Sequence, residues 1–289
     1  IPPPTSQRTL DLGVKYSPTE ACLPYKLTLG NLIEACELGA DTLIQARGTG
    51  ICRLGYYAKN QEQILHDLGY NISFAHLDVS HHKIWSFLKL IKDMTNNAPW
   101  HKIIPASYFG LSKLFALDKI EKVVQKMRAA ELERGGANQI YREAIKAIDE
   151  ATKGKEVKKL TKDYIGKLTN VPRNPTVNPV KVSIVGEIYV VLEPFANMDI
   201  EMELGKLGVE VERTMSLFRW VKYSLFLNYL GIDEWKRVHK AAMPYLKRDV
   251  GGDGWESVGE KVVHAQEGYD GIIHLAPFTC MPEIVAQNI

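Results

Sequence analysis

Between Asp41 and Ala58 the chain changes character twice. Asp41-Thr-Leu-Ile-Gln-Ala-Arg47 is an apolar run of strand length, Gly48-Thr-Gly-Ile-Cys52 interrupts it with two glycines, and Leu54-Gly-Tyr-Tyr-Ala58 opens a helix. A buried strand that runs through a glycine turn into a helix belongs to a layered α/β architecture, in which helices join parallel strands. The turn also carries a thiol. At such a strand end, free backbone N–H groups and the positive end of the next helix favour a thiolate or a bound anion, so Cys52 is a candidate functional residue.

The flanking segments keep this rhythm. Leu29, Leu32, Ile33 and Cys36 form the stripe of an amphipathic helix over 26–38, ended by Gly39, which puts Cys36 in the core. A helix is expected over 55–68, a strand over 71–77 and a helix over 82–94. From Trp100 to Leu168 the composition shifts: 117–133 and 138–152 are dense in Lys and Glu around an apolar stripe that includes Ile120, Val123, Val124 and Met127. This pattern reads as a helical insert or lid with its charges on a solvated face. Pro172, Pro175 and Pro179 in a short polar stretch mark a linker.

Beyond the linker, 180–186 reads as a buried strand, 197–207 as helix, 208–213 as strand, the region up to Lys247 as long helix, 256–267 as helix and 271–276 as strand. The expected fold class is α/β: a first parallel-sheet unit over 1–100, a helical insert over 101–170, a linker over 171–179 and a second parallel-sheet unit over 180–289.

At 289 residues the chain can bury a full core without staples. Its formal net charge of +2 points to no nucleic-acid partner. No apolar run reaches the ~18 uncharged residues of a membrane helix, so no membrane span is expected. Four cysteines are too few for the disulfide framework of a small secreted domain and suggest a reducing, cytoplasmic setting. Ile1-Pro-Pro-Pro4 has neither the basic nor the apolar region of a signal peptide, and both ends read as cut.

Two further cysteines repeat the setting of Cys52. Cys22 lies in Glu20-Ala-Cys-Leu-Pro-Tyr-Lys26, a loop that opens a helix with Pro24 in its first turn, and Cys280 lies in Ala276-Pro-Phe-Thr-Cys-Met-Pro-Glu283, between a strand and a helix. Ligands of open α/β sheets bind at such strand ends, and two facing units would bring these loops together. The competing reading of each is a small buried hydrophobe, the role assigned to Cys36. No Cys-x-x-Cys pair is present, so neither a zinc ribbon nor a ferredoxin run is encoded. Three separated thiolates suit an iron–sulfur cluster with one open iron, or a zinc ion with an open position. A disulfide would leave one thiol over.

Taken together, Cys22-Leu-Pro-Tyr-Lys-Leu-Thr-Leu-Gly-Asn31, Cys52-Arg-Leu-Gly-Tyr-Tyr57, Gly186-Glu-Ile-Tyr-Val190 with Glu193-Pro-Phe195, and Pro277-Phe-Thr-Cys-Met-Pro282 resemble the 2-hydroxyacyl-CoA dehydratase family. The closest likeness is to its branch of dehydratase- or activase-related iron–sulfur proteins. The resemblance implies two Rossmann-like domains and one 4Fe-4S cluster held at their interface by Cys22, Cys52 and Cys280. It implies a ketyl-radical elimination of water from a 2-hydroxyacyl thioester, started by a low-potential electron from a separate activator ATPase. A dimer, homo- or hetero-oligomeric, and an acyl-CoA or other small substrate follow from the same resemblance. Many relatives carry a second cysteine where Thr49 stands, so a single cubane is expected here rather than a double one. Relatives would also supply a strand before Ile1 and a strand and helix after Ile289. An accessory subunit that only relays electrons fits the same three cysteines, and a zinc-binding or metal-free α/β binding protein is a third reading.

Beside the thiols, Lys26 and Arg53 are candidates to offset the cluster's negative charge, and Glu187, after a buried strand, is the candidate catalytic residue. Its competing role is a helix N-terminal or interdomain hydrogen bond. His274 reads as a satisfied core histidine and His81 and His82 as surface residues. Gly251-Gly-Asp-Gly254 is either a phosphate cradle, for instance for CoA, or a plain turn.

Overall fold

A computed structural model describes residues 1–47, 51–78, 84–222 and 235–289. Its first part runs α1 (Gln7–Tyr16), α2 (Leu23–Glu37), β1 (Thr42–Arg47), α3 (Leu54–Asp67), β2 (Ser73–Asp78) and α4 (Ile84–Met94). Three helices follow, α5 (Trp100–Ala130), α6 (Gly136–Glu150) and α7 (Gly154–Thr169). Then come β3 (Val180–Gly186), α8 (Ile188–Leu192), α9 (Pro194–Asn197), α10 (Ile200–Lys206), β4 (Val209–Arg213), α11 (Leu217–Lys222), α12 (Lys236–Ala242), α13 (Gly254–Gln266), β5 (Gly271–Leu275) and α14 (Met281–Gln287).

Strands β1 and β2 pair in parallel, Thr42 beside Ser73, and β3 lies between β4 and β5, parallel to both. The protein is thus mixed α/β with short parallel sheets. Val182, Ser183, Ile184 and Val185 are all buried, the continuous burial expected of a central parallel strand covered on both faces. Ser183 is satisfied there by His264 Nδ1, 2.6 Å from its hydroxyl. Because the connection from β3 leads to β4 on one side while β5 pairs on the other, the carboxyl ends of β3 and β5 flank a topological switch point. In open α/β sheets that is where ligands bind.

Around β1, a core of Tyr25, Leu29, Ile33, Cys36, Leu43, Tyr57 and Leu65 unites α2, β1 and α3. Cys36 is buried there, as its helical spacing predicts. A separate core, with Ile120, Val124, Ala144, Ile148, Val157 and Leu168, holds α5, α6 and α7 together. Each fully buried aliphatic side chain contributes about 1.5–3 kcal/mol.

The structure departs from the sequence reading in several places. Helix α1 has no counterpart in the sequence reading; its N-terminus is built by Ser6 and Thr9, whose side chain accepts the Ser6 N–H at 3.0 Å. The helix expected over 197–207 is divided between the end of α9 at Asn197 and α10 (Ile200–Lys206). The break falls at Met198 and Asp199, both in the left-handed region with φ 56° and 53°, where non-glycine residues are uncommon. Of the long helix expected up to Lys247, the described residues show only α11 and α12, and 243–249 are not helical.

The charges of the insert are not all on a solvated face. Arg213 on β4, its side chain only 7% exposed, pairs with Glu121 on α5 and, at 2.7 Å, with Glu201 on α10. Arg128 adds a bond to Asn138 and lies 3.9 Å from Glu201. This half-buried network fastens α5 and α6 to the three-stranded sheet. The proline-marked stretch is likewise tied down: Leu132 N–H donates to Pro172 C=O and Asn174 N–H to Ala130 C=O, both at 2.9 Å.

Candidate functional site

Each of the three cysteines stands at a helix entrance. Cys22 is the N-cap of α2, with Pro24 in the first turn; Cys280 is the N-cap of α14; Cys52 lies directly before α3, half-buried, while the other two are buried. All three are free thiols. Their loops touch. Leu23 N–H donates to Phe278 C=O at 3.4 Å, joining the start of α2 to the loop that ends at Cys280. The turn Gly251-Gly252 lies on Cys52, and a Cβ added at Gly252 would sit 3.8 Å from the Cys52 Sγ. As a result the Cys22 thiol acts electrostatically on both Cys52 and Cys280.

Burial raises the Cys52 thiol above its ordinary value. The Leu54 N–H pulls the other way, and Cys22, Asp253 and Glu187 add to the rise. Burial likewise pushes Cys280 up to about 12, against the Glu283 N–H and with the charges of Glu283, Glu187 and Cys22. In a metal-free protein at neutral pH these two groups are therefore neutral thiols, and any metal they bind must displace their protons.

Glu187 arrives at this place through a close approach of two strands. Gly186 ends β3 with φ 139°, and a Cβ there would fall 2.2 Å from the Leu275 carbonyl at the end of β5, so only glycine fits. The Glu187 N–H donates to that same carbonyl at 3.2 Å. Its carboxylate caps α8, accepting the Val190 N–H at 2.9 Å. Burial nevertheless raises its pKa to about 7, reinforced by Glu283 and opposed by the N–H groups of Val190 and Tyr189. The helix-capping role expected as its competing reading is thus real, and it coexists with a carboxyl poised near neutrality among the thiols.

Two acids that sequence reasoning did not single out complete the surroundings. Asp253, inside the glycine-rich turn, accepts the Ile188 N–H at 2.9 Å, and burial raises its pKa well above the usual carboxylate range, Glu187 adding to the effect. A turn whose carboxylate is buried inward and whose glycines back onto Cys52 and Pro282 is filled by the protein itself, which disfavours the phosphate-cradle reading. Glu283, fully buried on α14, accepts from Ser257 Oγ at 3.2 Å and is bonded to His274 Nε2. His274 is therefore a satisfied histidine, as expected. Only the acid three positions after Cys280 signalled Glu283; for Asp253 the signal was a carboxylate between glycines.

Lys26 and Arg53 turn their charges elsewhere. Lys26 Nζ donates to Thr19 C=O at 3.2 Å and Arg53 Nη1 to Glu20 C=O at 2.6 Å. Both bind the backbone leading into Cys22, so Arg53 ties the Cys52 loop to the Cys22 loop. Thr49, His81 and His82 lie outside the described residues.

Among the described residues, no three His, Cys, Asp or Glu side chains are close enough to share one metal ion. A cubane distributes its irons over separate corners, and its cysteines need not share an ion. The three free thiols are the donor type such clusters use, and they suit it. The cleft of about 410 Å³ bounded by α5, α6 and α10 is lined by none of the cysteines, and Arg213, Glu121 and Glu201 in its wall are paired with one another. Among the described residues no helix is long and apolar enough to cross a membrane. No protein-family model and no curated protein matches the chain.

Proposed function

We propose that this chain is an iron–sulfur protein of the 2-hydroxyacyl-CoA dehydratase type, with Cys22, Cys52 and Cys280 holding one 4Fe-4S cluster between two Rossmann-like units. The observation that supports this reading is that the loops of three helix-entry thiols from distant parts of the chain are in contact: Arg53 bonds the Glu20 carbonyl, Leu23 bonds the Phe278 carbonyl, and Gly252 backs onto both Cys52 and Pro282. When bound, a cluster with three protein thiolates supplies an open iron as Lewis acid and a store for one low-potential electron, delivered in this reading by a separate activator ATPase.

The chain's own residues do the rest. Arg53 and the Leu23–Phe278 backbone bond hold the cysteine loops in register. The raised thiols release protons on loading, so uptake of the cluster is favoured by rising pH. Glu187, capped on α8 and half-protonated near pH 7, can give a proton to a leaving hydroxyl or take one from a substrate carbon. The substrate class in this reading is an acyl-CoA or a related small thioester, and the acting form is a dimer.

Anaerobic reconstitution with iron and sulfide, followed by metal analysis and electron paramagnetic resonance of the reduced protein, tests the assignment. Near four irons and four sulfides per chain, with a cubane signal, is the expected result. Tight zinc in their place overturns it. Adding acyl-CoA thioesters to the reduced protein then separates enzyme from electron relay. An altered signal supports catalysis, and no change with any thioester assigns the relay role.

A further inference from the structure

Tyr57 touches this site without taking part in the chemistry proposed for it. It sits one turn into α3 beyond Cys52, its ring is buried, and its hydroxyl is hydrogen-bonded to the Sγ of Cys22, itself buried. The ring is held edge-on against Tyr25, 4.9 Å between centroids at 88°. Tyr25 is fixed in turn, because its own hydroxyl donates to Asn60 Oδ1. Two tyrosines from neighbouring helices therefore lie side by side, one aimed at the sulfur and the other away from it.

Between a phenol and a thiol either group can donate. A metal-bound thiolate has no proton left, so in the loaded protein only the phenol can. Resting on the cluster reading above, we propose that the Tyr57 hydroxyl donates a hydrogen bond to the Cys22 sulfur of the bound centre and raises its reduction potential. Added electron density in the reduced centre spreads onto the cysteine sulfurs, and a donor aimed at one of them stabilises the reduced form more than the oxidised form. The two cations beside the cysteines in sequence turn elsewhere: Lys26 and Arg53 are bound to Thr19 and Glu20. Tyr57 is thus a positioning residue for electron acceptance, and the dipole of its O–H supplies part of the compensation that a cation would otherwise give.

The test compares the wild-type protein, Tyr57→Phe and Tyr25→Phe, each loaded anaerobically with iron and sulfide and titrated with a low-potential chemical reductant under paramagnetic-resonance detection. Tyr57→Phe is expected to be harder to reduce by about tenfold in the one-electron equilibrium constant, a shift of about 59 mV to more negative potential. Tyr25→Phe, which loses the same group from the same aromatic pair, should keep the wild-type value. Equal potentials in all three overturn the proposal, as does an equal shift in both variants. Loss of cluster or a much lower melting temperature in Tyr57→Phe alone would give the hydroxyl a structural role and also overturn it. A wild-type protein that takes up no iron overturns the underlying cluster reading instead, a result distinct from the others.

Discussion

Gly251 and Cys52 are in backbone contact: a methyl group added at Gly251 would lie 2.8 Å from the Cys52 nitrogen, and the glycine holds φ 82°. Two turns almost 200 residues apart, roughly the length of a whole domain, are therefore fitted to each other at the backbone. A side chain at 251 is opposed twice, by the left-handed conformation and by the lack of room. Gly251→Ala is expected to cost on the order of 1–3 kcal/mol. It should also displace the Cys52 loop, so chemical denaturation and cluster uptake would fall together. A variant with unchanged denaturation midpoint would mean that the turns do not meet.

The network around Arg213 predicts a strong asymmetry. Removing the cation alone, as in Arg213→Met, leaves Glu121 and Glu201 facing each other at a half-buried seam, at a cost of about 3 kcal/mol. Replacing both acids together with the arginine, Glu121→Gln and Glu201→Met in the Arg213→Met background, should recover most of that loss. Urea denaturation of the two variants decides it. Equal instability would show that packing rather than charge fastens α5 to β4.

Glu187 predicts the sign of a pH effect in the cluster-free protein. Its folded pKa, raised by burial to about 7, lies above the unfolded value near 4.5. The folded state keeps a proton that the unfolded chain releases between those values, so this group makes stability fall as pH rises from about 4.5 to 7 and adds no slope above that. The full difference is about 3 kcal/mol. Glu187→Gln keeps an acceptor for the Val190 N–H and has no proton to lose. Its stability should be flatter over that window and higher than wild type above pH 7. A parallel pair of pH curves would mean that Glu187 is ionised in the folded protein.

Much of the site was legible before the fold, for physical reasons. A buried apolar run that ends at a glycine makes β3 stand out, β1 and β5 are shorter apolar runs, and a cysteine just beyond β1 or β5 is placed at a helix entrance by local pattern alone. Cys36 was legible as core because helical spacing puts it on the stripe of Leu29 and Ile33. Tyr57, Asp253 and Arg213 were not legible in these roles. Each depends on a partner far away in sequence: Cys22 for the tyrosine, the start of α8 for the aspartate, and α5 and α10 for the arginine. The breaks at Met198 and Asp199 were hidden for a similar reason, since non-glycine residues adopt positive φ only when tertiary contacts impose it. Lys26 and Arg53 illustrate the converse: long cations next to cysteines in sequence found backbone carbonyls instead.

In the proposed reading Cys22, Cys52 and Cys280 act together on one cluster while Cys36 takes no part. Iron and sulfide content of the four single Cys→Ser variants, reconstituted anaerobically beside the wild-type protein, measures this directly. Cys22→Ser, Cys52→Ser and Cys280→Ser are each expected to lose most of the cluster, and Cys36→Ser, a change at a core position, to retain wild-type content per folded chain. Equal cluster content in all four variants would contradict the account.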